Sequence, residues 1–147
     1  MSRIPTPATI SEAPTASQPL LEVVQKQFGV VPNMFRLISN SPAALQGYLE
    51  LFAALSKGAL PTATRARIAI AVAEINGCDY CLSAHTYFGK SLGKLDDAEI
   101  AANRRGASND PKADAAVRFA VKVARERGEV SDDDIQALSL PATATRR

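Results

Sequence analysis

An all-α domain is the fold class that the 147-residue sequence predicts. Beyond residue 18 the apolar residues recur at helical spacing, the β-branched runs are short, and no alternating strand pattern persists. Several of the helices that this spacing predicts carry Ala-rich stripes, which let helix axes approach closely. We therefore expect a bundle of about seven to eight helices. Its apolar stripes exceed what one small core needs to bury, which predicts a homo-oligomer.

Composition divides the chain into a domain and two flanking segments. Residues 1–18 are rich in Pro, Ser, Thr and Ala and are expected to form a flexible N-terminal segment. Residues 19–139 carry the helical periodicity and are expected to form the domain, which is long enough to bury a core without covalent staples. Residues 140–147 are expected to be a frayed tail.

The first part of the domain is predicted to hold three helices. Two short ones are expected at 20–28 and 34–38. Ser41 and Pro42 then open a longer helix, as the cap and the first helical residue, and Gly58 ends it. The apolar stripe of this longer helix consists of Leu45, Tyr48, Leu49, Phe52 and Leu55.

The next two helices are predicted on either side of a glycine. The helix expected at 61–76 is apolar on nearly every side, which is typical of a central, buried helix. Gly77 suits the left-handed residue that ends such a helix. A new helix should then begin at Cys78 or Asp79 and reach about Leu92.

Cap residues predict three further helices. The first begins with Asp96 and Glu99 at the spacing of a capping box, and it ends at Gly106. The other two begin after Asp110 and Ser131, both good N-cap residues. The three expected spans are 96–106, 110–128 and 132–138.

Composition and charge exclude several classes of function. The net charge is only +2 and no basic stripe follows the chain, so nucleic acid is not an expected partner. No run approaches the roughly 18 apolar residues of a membrane span, and the N-terminus lacks the apolar core of a secretory signal. The two cysteines lie too close together to close a useful structural loop, so we expect a cytoplasmic protein in a reducing compartment.

The segment from Glu74 to His85 contains both cysteines and the only histidine of the chain. Cys78 is expected at a helix start, where free N–H groups and the helix dipole favour a thiolate. His85 lies one turn beyond Cys81, near enough to take its proton or hold its thiolate. Cys78 and Cys81 are also spaced to bridge as a disulfide. The segment therefore predicts redox or peroxide chemistry.

One face of this helix is expected to point inward because it is apolar apart from the reactive groups. That face consists of Cys81, Ala84, His85, Phe88 and Leu92. Tyr80 and Tyr87 share a neighbouring face, where packing in the core or at an interface is expected rather than chemistry. A buried histidine can also be a satisfied core residue, and this alternative stays open for His85.

Glu74 is the only acid on the otherwise apolar helix that precedes the cysteines. Its position in the last turn should leave the carboxyl group partly desolvated, which suits an acid that takes and returns a proton. We therefore interpret Glu74 as a proton-relay residue. The alternative is a structural ion pair, with Arg67 on the same face or with a neighbouring subunit.

A zinc site is the chemical alternative. Cys78, Cys81, His85 and Glu74 could supply four ligands. Structural zinc sites usually gather their ligands from two separated segments, whereas these four come from a single short one. A c-type haem is excluded, because Leu82 stands where the haem motif requires histidine.

The motif Asn76-Gly-Cys-Asp-Tyr-Cys-Leu-Ser-Ala-His85 resembles the core of the alkylhydroperoxidase AhpD and carboxymuconolactone decarboxylase-like superfamily. It follows a helix that opens Leu60-Pro-Thr-Ala-Thr-Arg65, as that superfamily's core does. The stretch from Ala102 to Gly106, with the helical sequence after it, is similar to the peroxidase-related branch.

The resemblance implies an AhpD-like helical fold that assembles into trimers or hexamers, and peroxide reduction without metal, flavin or any other cofactor. It implies that Cys81 attacks peroxide and that Cys78 resolves the sulfenic acid, while His85 and a glutamate relay the proton. The founding branch carries its glutamate where this chain has Ala66, so Glu74 would have to replace it.

The leading hypothesis is therefore a thiol-dependent peroxidase or disulfide oxidoreductase that reduces hydroperoxides. A dithiol partner, thioredoxin-like or lipoyl-type, must reduce the disulfide after each turnover. The alternative is a helical oligomeric redox sensor or scaffold with negligible peroxide turnover.

Overall fold

A computed structural model describes residues 3–139, and within them the backbone is helical with no strand. Two 3₁₀ turns, Ile10–Glu12 and Thr15–Ser17, precede eight α-helices. The helices are α1 (Gln18–Phe28), α2 (Asn33–Ile38), α3 (Pro42–Ser56), α4 (Thr62–Ile75), α5 (Asp79–Ser91), α6 (Asp97–Arg104), α7 (Pro111–Arg125) and α8 (Asp132–Ser139). The all-α prediction is confirmed, while the predicted frayed tail at 140–147 lies outside the described residues.

The predicted helix starts are confirmed by side-chain caps. The Ser41 hydroxyl accepts from the Ala44 N–H at 3.3 Å at the start of α3. At the start of α6 the Asp96 carboxylate accepts from the Glu99 N–H at 2.7 Å. Each cap satisfies an amide that the first helical turn leaves without a partner.

Backbone contacts divide the chain into two compact units, residues 1–59 and 60–147. The first unit has its own apolar core, which consists of Ala13, Leu21, Val24, Phe35 and Leu45. Within it the buried Ser17 hydroxyl donates to the Ser39 carbonyl at 2.7 Å. The predicted boundaries of one domain at 19–139, and the predicted flexibility of residues 1–18, stay predictions.

Only part of the apolar stripe of α3 is buried within the chain. Leu45 is fully buried, but Tyr48 is 37% exposed and Phe52 is 42% exposed. Leu51 and Leu55 are exposed still further, at 58% and 64%. The second half of α3 therefore presents an apolar surface, which we call the α3 stripe.

Helix α4 is the centre of the second unit, as its apolar sequence predicted, because it contacts α5, α6 and α7. Towards α5 and α6 its Ile70 belongs to an apolar cluster, the Ile70 cluster, with Leu95 and Ile100. Towards α7 its Ala71 packs with Val117 and Val121 in a second one, the Val117 cluster. In residues 3–139 no helix combines the length and apolarity needed to cross a bilayer.

The face of α5 that was predicted to point inward is only partly buried. Leu82 packs against the Ile70 cluster, and a Cβ atom on Gly89 would lie 3.3 Å from Cδ1 of Ile70. The bare glycine therefore lets the α5 backbone approach α4 closely. The predicted face is half-buried beside this contact, and Leu92 at its end is 62% exposed. The close contact between α5 and α4 therefore requires the smallest residue of α5, rather than one of its large apolar residues.

Candidate redox site

The junction between α4 and α5 fixes the position of the first cysteine. Gly77 adopts the left-handed conformation, with φ of 59°, and its N–H donates to the Glu74 carbonyl at 3.1 Å. The Cys78 N–H donates to the Ala73 carbonyl at 3.1 Å. This pair of bonds is the Schellman pattern that ends many helices. It ties the backbone of Cys78 directly to the last turn of α4.

The two cysteines form a disulfide across the first turn of α5. Their Sγ atoms are 2.08 Å apart and their Cα atoms 5.3 Å apart. Cys78 is the N-cap of α5, and its sulfur accepts from the Cys81 N–H at 3.2 Å. In the reduced protein, free amides at this helix start would stabilise a thiolate. The bridge predicted from the spacing is confirmed.

His85 lies one turn beyond Cys81 on α5 and is half-buried. Desolvation by burial lowers the pKa of its imidazole below the ordinary value of 6.5. The side chain is therefore neutral at pH 7, and a neutral imidazole can accept a proton from a neighbouring thiol. Tyr80 and Tyr87 are 47% and 68% exposed, so neither packs in the core, and their packing at an interface stays a prediction.

Glu74 is paired with a residue that the sequence did not suggest. Arg104, the last residue of α6, donates from Nε to one Glu74 oxygen at 2.8 Å and from Nη2 to the other at 3.4 Å. The carboxylate side chain is 36% exposed. Within residues 3–139 no hydrogen bond joins it to His85 or to either cysteine. Within the described residues, Glu74 is connected to the disulfide only through the backbone hydrogen bonds of the α4–α5 junction.

Arg67, the partner proposed for Glu74, instead pairs with Glu99 at 2.7 Å, and the two side chains are 12% and 8% exposed. Asp110 lies 3.5 Å from the same guanidinium group. The sequence indicated Glu99 only as half of a capping box, and the Asp96 half of that box is present. The Glu99 carboxylate does not return to the helix start, because it serves this buried network.

Four donors surround the Glu99 carboxylate. Burial would raise its pKa, but hydrogen bonds from Ser108, Asn103, the Asn109 N–H and Arg67 outweigh burial and lower the pKa to about 2. The Ser108 and Asn109 contacts, at 2.5 and 2.8 Å, fasten the loop between α6 and α7. This network holds α4, α6 and the start of α7 together.

The zinc alternative has no support in the described part of the chain. Nowhere in it do three His, Cys, Asp or Glu side chains converge as metal ligands. The two cysteine sulfurs are bonded to each other.

Comparison with protein families gives a match over residues 42–126, to the carboxymuconolactone decarboxylase family. The match spans more than half of the chain, and it includes the Cys-x-x-Cys segment and His85. The chain belongs to this family.

Two solved structures carry the peroxidase-related name. One is an alkylhydroperoxidase AhpD core, a peroxidase-related protein from Ralstonia eutropha JMP134, with 30% identity and a TM-score of 0.79 over 94% of this chain and 74% of that one. The other is a peroxidase-related protein from Silicibacter sp. TM1040, with 26% identity and a TM-score of 0.76 over 94% of this chain and 73% of that one. They place the chain in the AhpD-like superfamily.

A third structure shares the fold alone. It is the debrominase Bmp8 in complex with 2,3,4-tribromopyrrole, with 20% identity and a TM-score of 0.75 over 95% of this chain and 75% of that one. A comparison with curated protein sequences gives no significant match.

Proposed function

We propose that this protein is a thiol-dependent peroxidase that reduces hydroperoxides and cycles between a dithiol and the Cys78–Cys81 disulfide. The observation that carries the proposal is the disulfide at the N-terminus of α5, one turn from a neutral, half-buried His85. The AhpD-like relatives named as peroxidase-related proteins support the same reaction class.

In the first step His85 accepts the proton of the Cys81 thiol, because its lowered pKa leaves the imidazole neutral. The thiolate attacks one peroxide oxygen and the O–O bond breaks. The imidazolium returns its proton to the leaving alkoxide, which departs as an alcohol, or as water when the substrate is hydrogen peroxide. Cys81 is left as a sulfenic acid.

In the second step Cys78 attacks the sulfur of Cys81. The disulfide forms and the sulfenic oxygen leaves as water, so one peroxide has been reduced by the two electrons of the two thiols. An external dithiol, thioredoxin-like or lipoyl-type, then returns two electrons and two protons.

Glu74 is proposed as the outer end of the proton relay. Its ion pair with Arg104 fixes the position of the carboxylate in the last turn of α4. The hydrogen bond from the Cys78 N–H to the Ala73 carbonyl, in the same turn as Glu74, supports this role. The relay requires a water molecule or a side-chain movement to connect Glu74 with His85.

A homo-oligomer is proposed as the working form, a trimer or hexamer in the cytoplasm. The α3 stripe supports this, because apolar side chains exposed at helical spacing favour burial against another chain. Sedimentation velocity at micromolar concentration tests it, and a monomer would contradict it.

The reaction is tested with the reduced full-length protein in stopped-flow mixing against hydrogen peroxide and an organic hydroperoxide. We expect rapid loss of two thiols for each peroxide consumed. Cys81→Ser should abolish the reaction, whereas Cys78→Ser should trap a sulfenic acid on Cys81 that mass spectrometry detects after dimedone labelling. A sulfenic acid on Cys78 in the Cys81→Ser protein would reverse the two roles. Negligible consumption by the wild type would favour the redox sensor.

A further inference from the structure

A groove between the end of α6 and the outer face of α7 collects positive charge. Its volume is about 280 Å³, and four of its seven lining residues are cations: Arg105, Arg118, Lys122 and Arg125. Glu126 is the single acid in the lining. The seven lining residues together carry a net charge of +3, whereas the whole chain has a net charge of only +2.

The floor of the α6–α7 groove is small and apolar. Gly106 adopts φ of 79°, and a Cβ atom there would lie 3.2 Å from the Val121 side chain. Val121 itself is buried in the Val117 cluster. A side chain at position 106 would be strained and would crowd the floor, so glycine keeps this surface open beneath the cations.

Two of the cations already have carboxylate partners. Arg118 pairs with Asp114, and Lys122 pairs with Asp134, each at 2.6 Å. Arg105 and Arg125 form no salt bridge with any residue of the described chain. Two guanidinium groups thus remain available to a ligand in one groove.

Capping of helix ends does not account for these arginines. A cation at a helix C-terminus often binds the last carbonyl groups. Here the Ala102 carbonyl already accepts from the Arg105 and Ala107 amides, at 3.0 and 3.1 Å. At the end of α7 the Lys122 carbonyl accepts from the Glu126 amide at 2.8 Å. Backbone amides occupy these carbonyl groups, and within residues 3–139 neither guanidinium group bonds to a helix end.

We propose that the α6–α7 groove binds a small organic anion with two negative charges, a phosphate ester or a dicarboxylate, through Arg105 and Arg125. Guanidinium forks match the planar oxygen pairs of both groups. The volume lies just below the roughly 300–1,000 Å³ of pockets for drug-sized ligands, so the ligand must be small. The groove shares no residue with the disulfide site, so the proposal is independent of the peroxidase reaction.

The experiment is calorimetric titration of the full-length protein at low ionic strength with inorganic phosphate, with succinate and with acetate. We expect saturable binding of one dianion per chain, at least about tenfold tighter than acetate. Tighter binding of phosphate would identify a phosphate ester as the natural class, and tighter binding of succinate would identify a dicarboxylate. Saturation by neither dianion would overturn the proposal.

The variants Arg105→Gln and Arg125→Gln should each weaken binding about tenfold, because each removes one charge-assisted contact. Arg127→Gln is the matched control, since it removes the same charge nearby but outside the groove lining. Equal weakening in the control would mean general charge attraction and would overturn the site. Arg105→Lys keeps the charge and loses the fork, so an intermediate affinity would support the site even where a Gln variant folds poorly.

Discussion

Two glutamate–arginine pairs join α4 to α6, and they differ in almost every physical respect. Arg67 of α4 meets Glu99 of α6 in the interior, where the side chains are 12% and 8% exposed. Two turns further along α4, Glu74 pairs with Arg104 of α6 at the surface, where the side chains are 36% and 51% exposed. Helix α4 supplies the arginine of the inner pair and the glutamate of the outer pair.

The difference indicates which carboxylate can take part in chemistry. Glu99 receives four hydrogen bonds in the interior, so a change in its charge would disrupt the packing around it. Glu74 has a single partner at the surface, and an exposed pair contributes little to stability. A proton relay needs a group that can change its charge at small structural cost, and only the outer pair meets that condition.

The largest expected effect comes from breaking the inner pair. Glu99→Gln removes the charge that compensates a buried Arg67, so we expect a loss of about 3 kcal/mol of unfolding free energy, the lower end of the range for a buried pair. The loss stays at that end because Asp110 remains 3.5 Å from Arg67. Urea denaturation of the variant and the wild type measures it. A difference below about 1 kcal/mol would refute the structural role.

The dependence of stability on acid pH should reveal the contribution of the same Glu99 carboxylate. The pKa of Glu99 is lowered to about 2 in the folded protein from an ordinary value of 4.5. A lowered folded pKa stabilises the protein above the ordinary value, and this contribution, on the order of 3 kcal/mol, is lost as the pH falls from about 4.5 through about 2.

The measurement compares denaturant unfolding of the wild type and Glu99→Gln between pH 6 and pH 2.5. The gap between the two proteins should close as the pH falls. The pKa of Asp134 is also lowered to about 2, but this residue is present in both proteins and therefore cancels. A gap that stays constant over this range would contradict the assignment.

Local signals in the sequence predicted much of this architecture, whereas distant partners could not be read from it. The caps at Ser41 and Asp96 bond within three residues, so their spacing is visible in the chain. The Arg67–Glu99 contact joins residues 32 positions apart. Only the packed fold brings those two side chains together.

In the redox site, too, the local features were predicted from the sequence and the distant contact was not. The Cys78–Cys81 bridge and the placement of His85 one turn later follow from helical spacing alone. The choice of Arg104 rather than Arg67 as the partner of Glu74 depends on how α6 lies against α4. The spacing of residues along the sequence does not determine how two helices pack against each other.

The smallest expected effect on stability, together with a large effect on rate, belongs to the outer pair. Glu74→Gln keeps the side-chain volume and removes the carboxylate that would take up and return the proton, so the rate of disulfide formation with peroxide should fall about 10²-fold. The melting temperature should barely change, because the pair is exposed.

Arg104→Gln is the matched control for this variant, because it removes the same ion pair and leaves the carboxylate in place. If Glu74 is a relay group, only Glu74→Gln loses most of its rate. If the residue serves structure alone, both variants keep a rate near wild type and lose stability to the same extent. Equal losses of rate would mean that the ion pair, rather than the carboxylate, supports the site. Stopped-flow rates measured beside thermal unfolding of the two variants separate these cases, since the two substitutions abolish one interaction but differ in the group that can carry a proton.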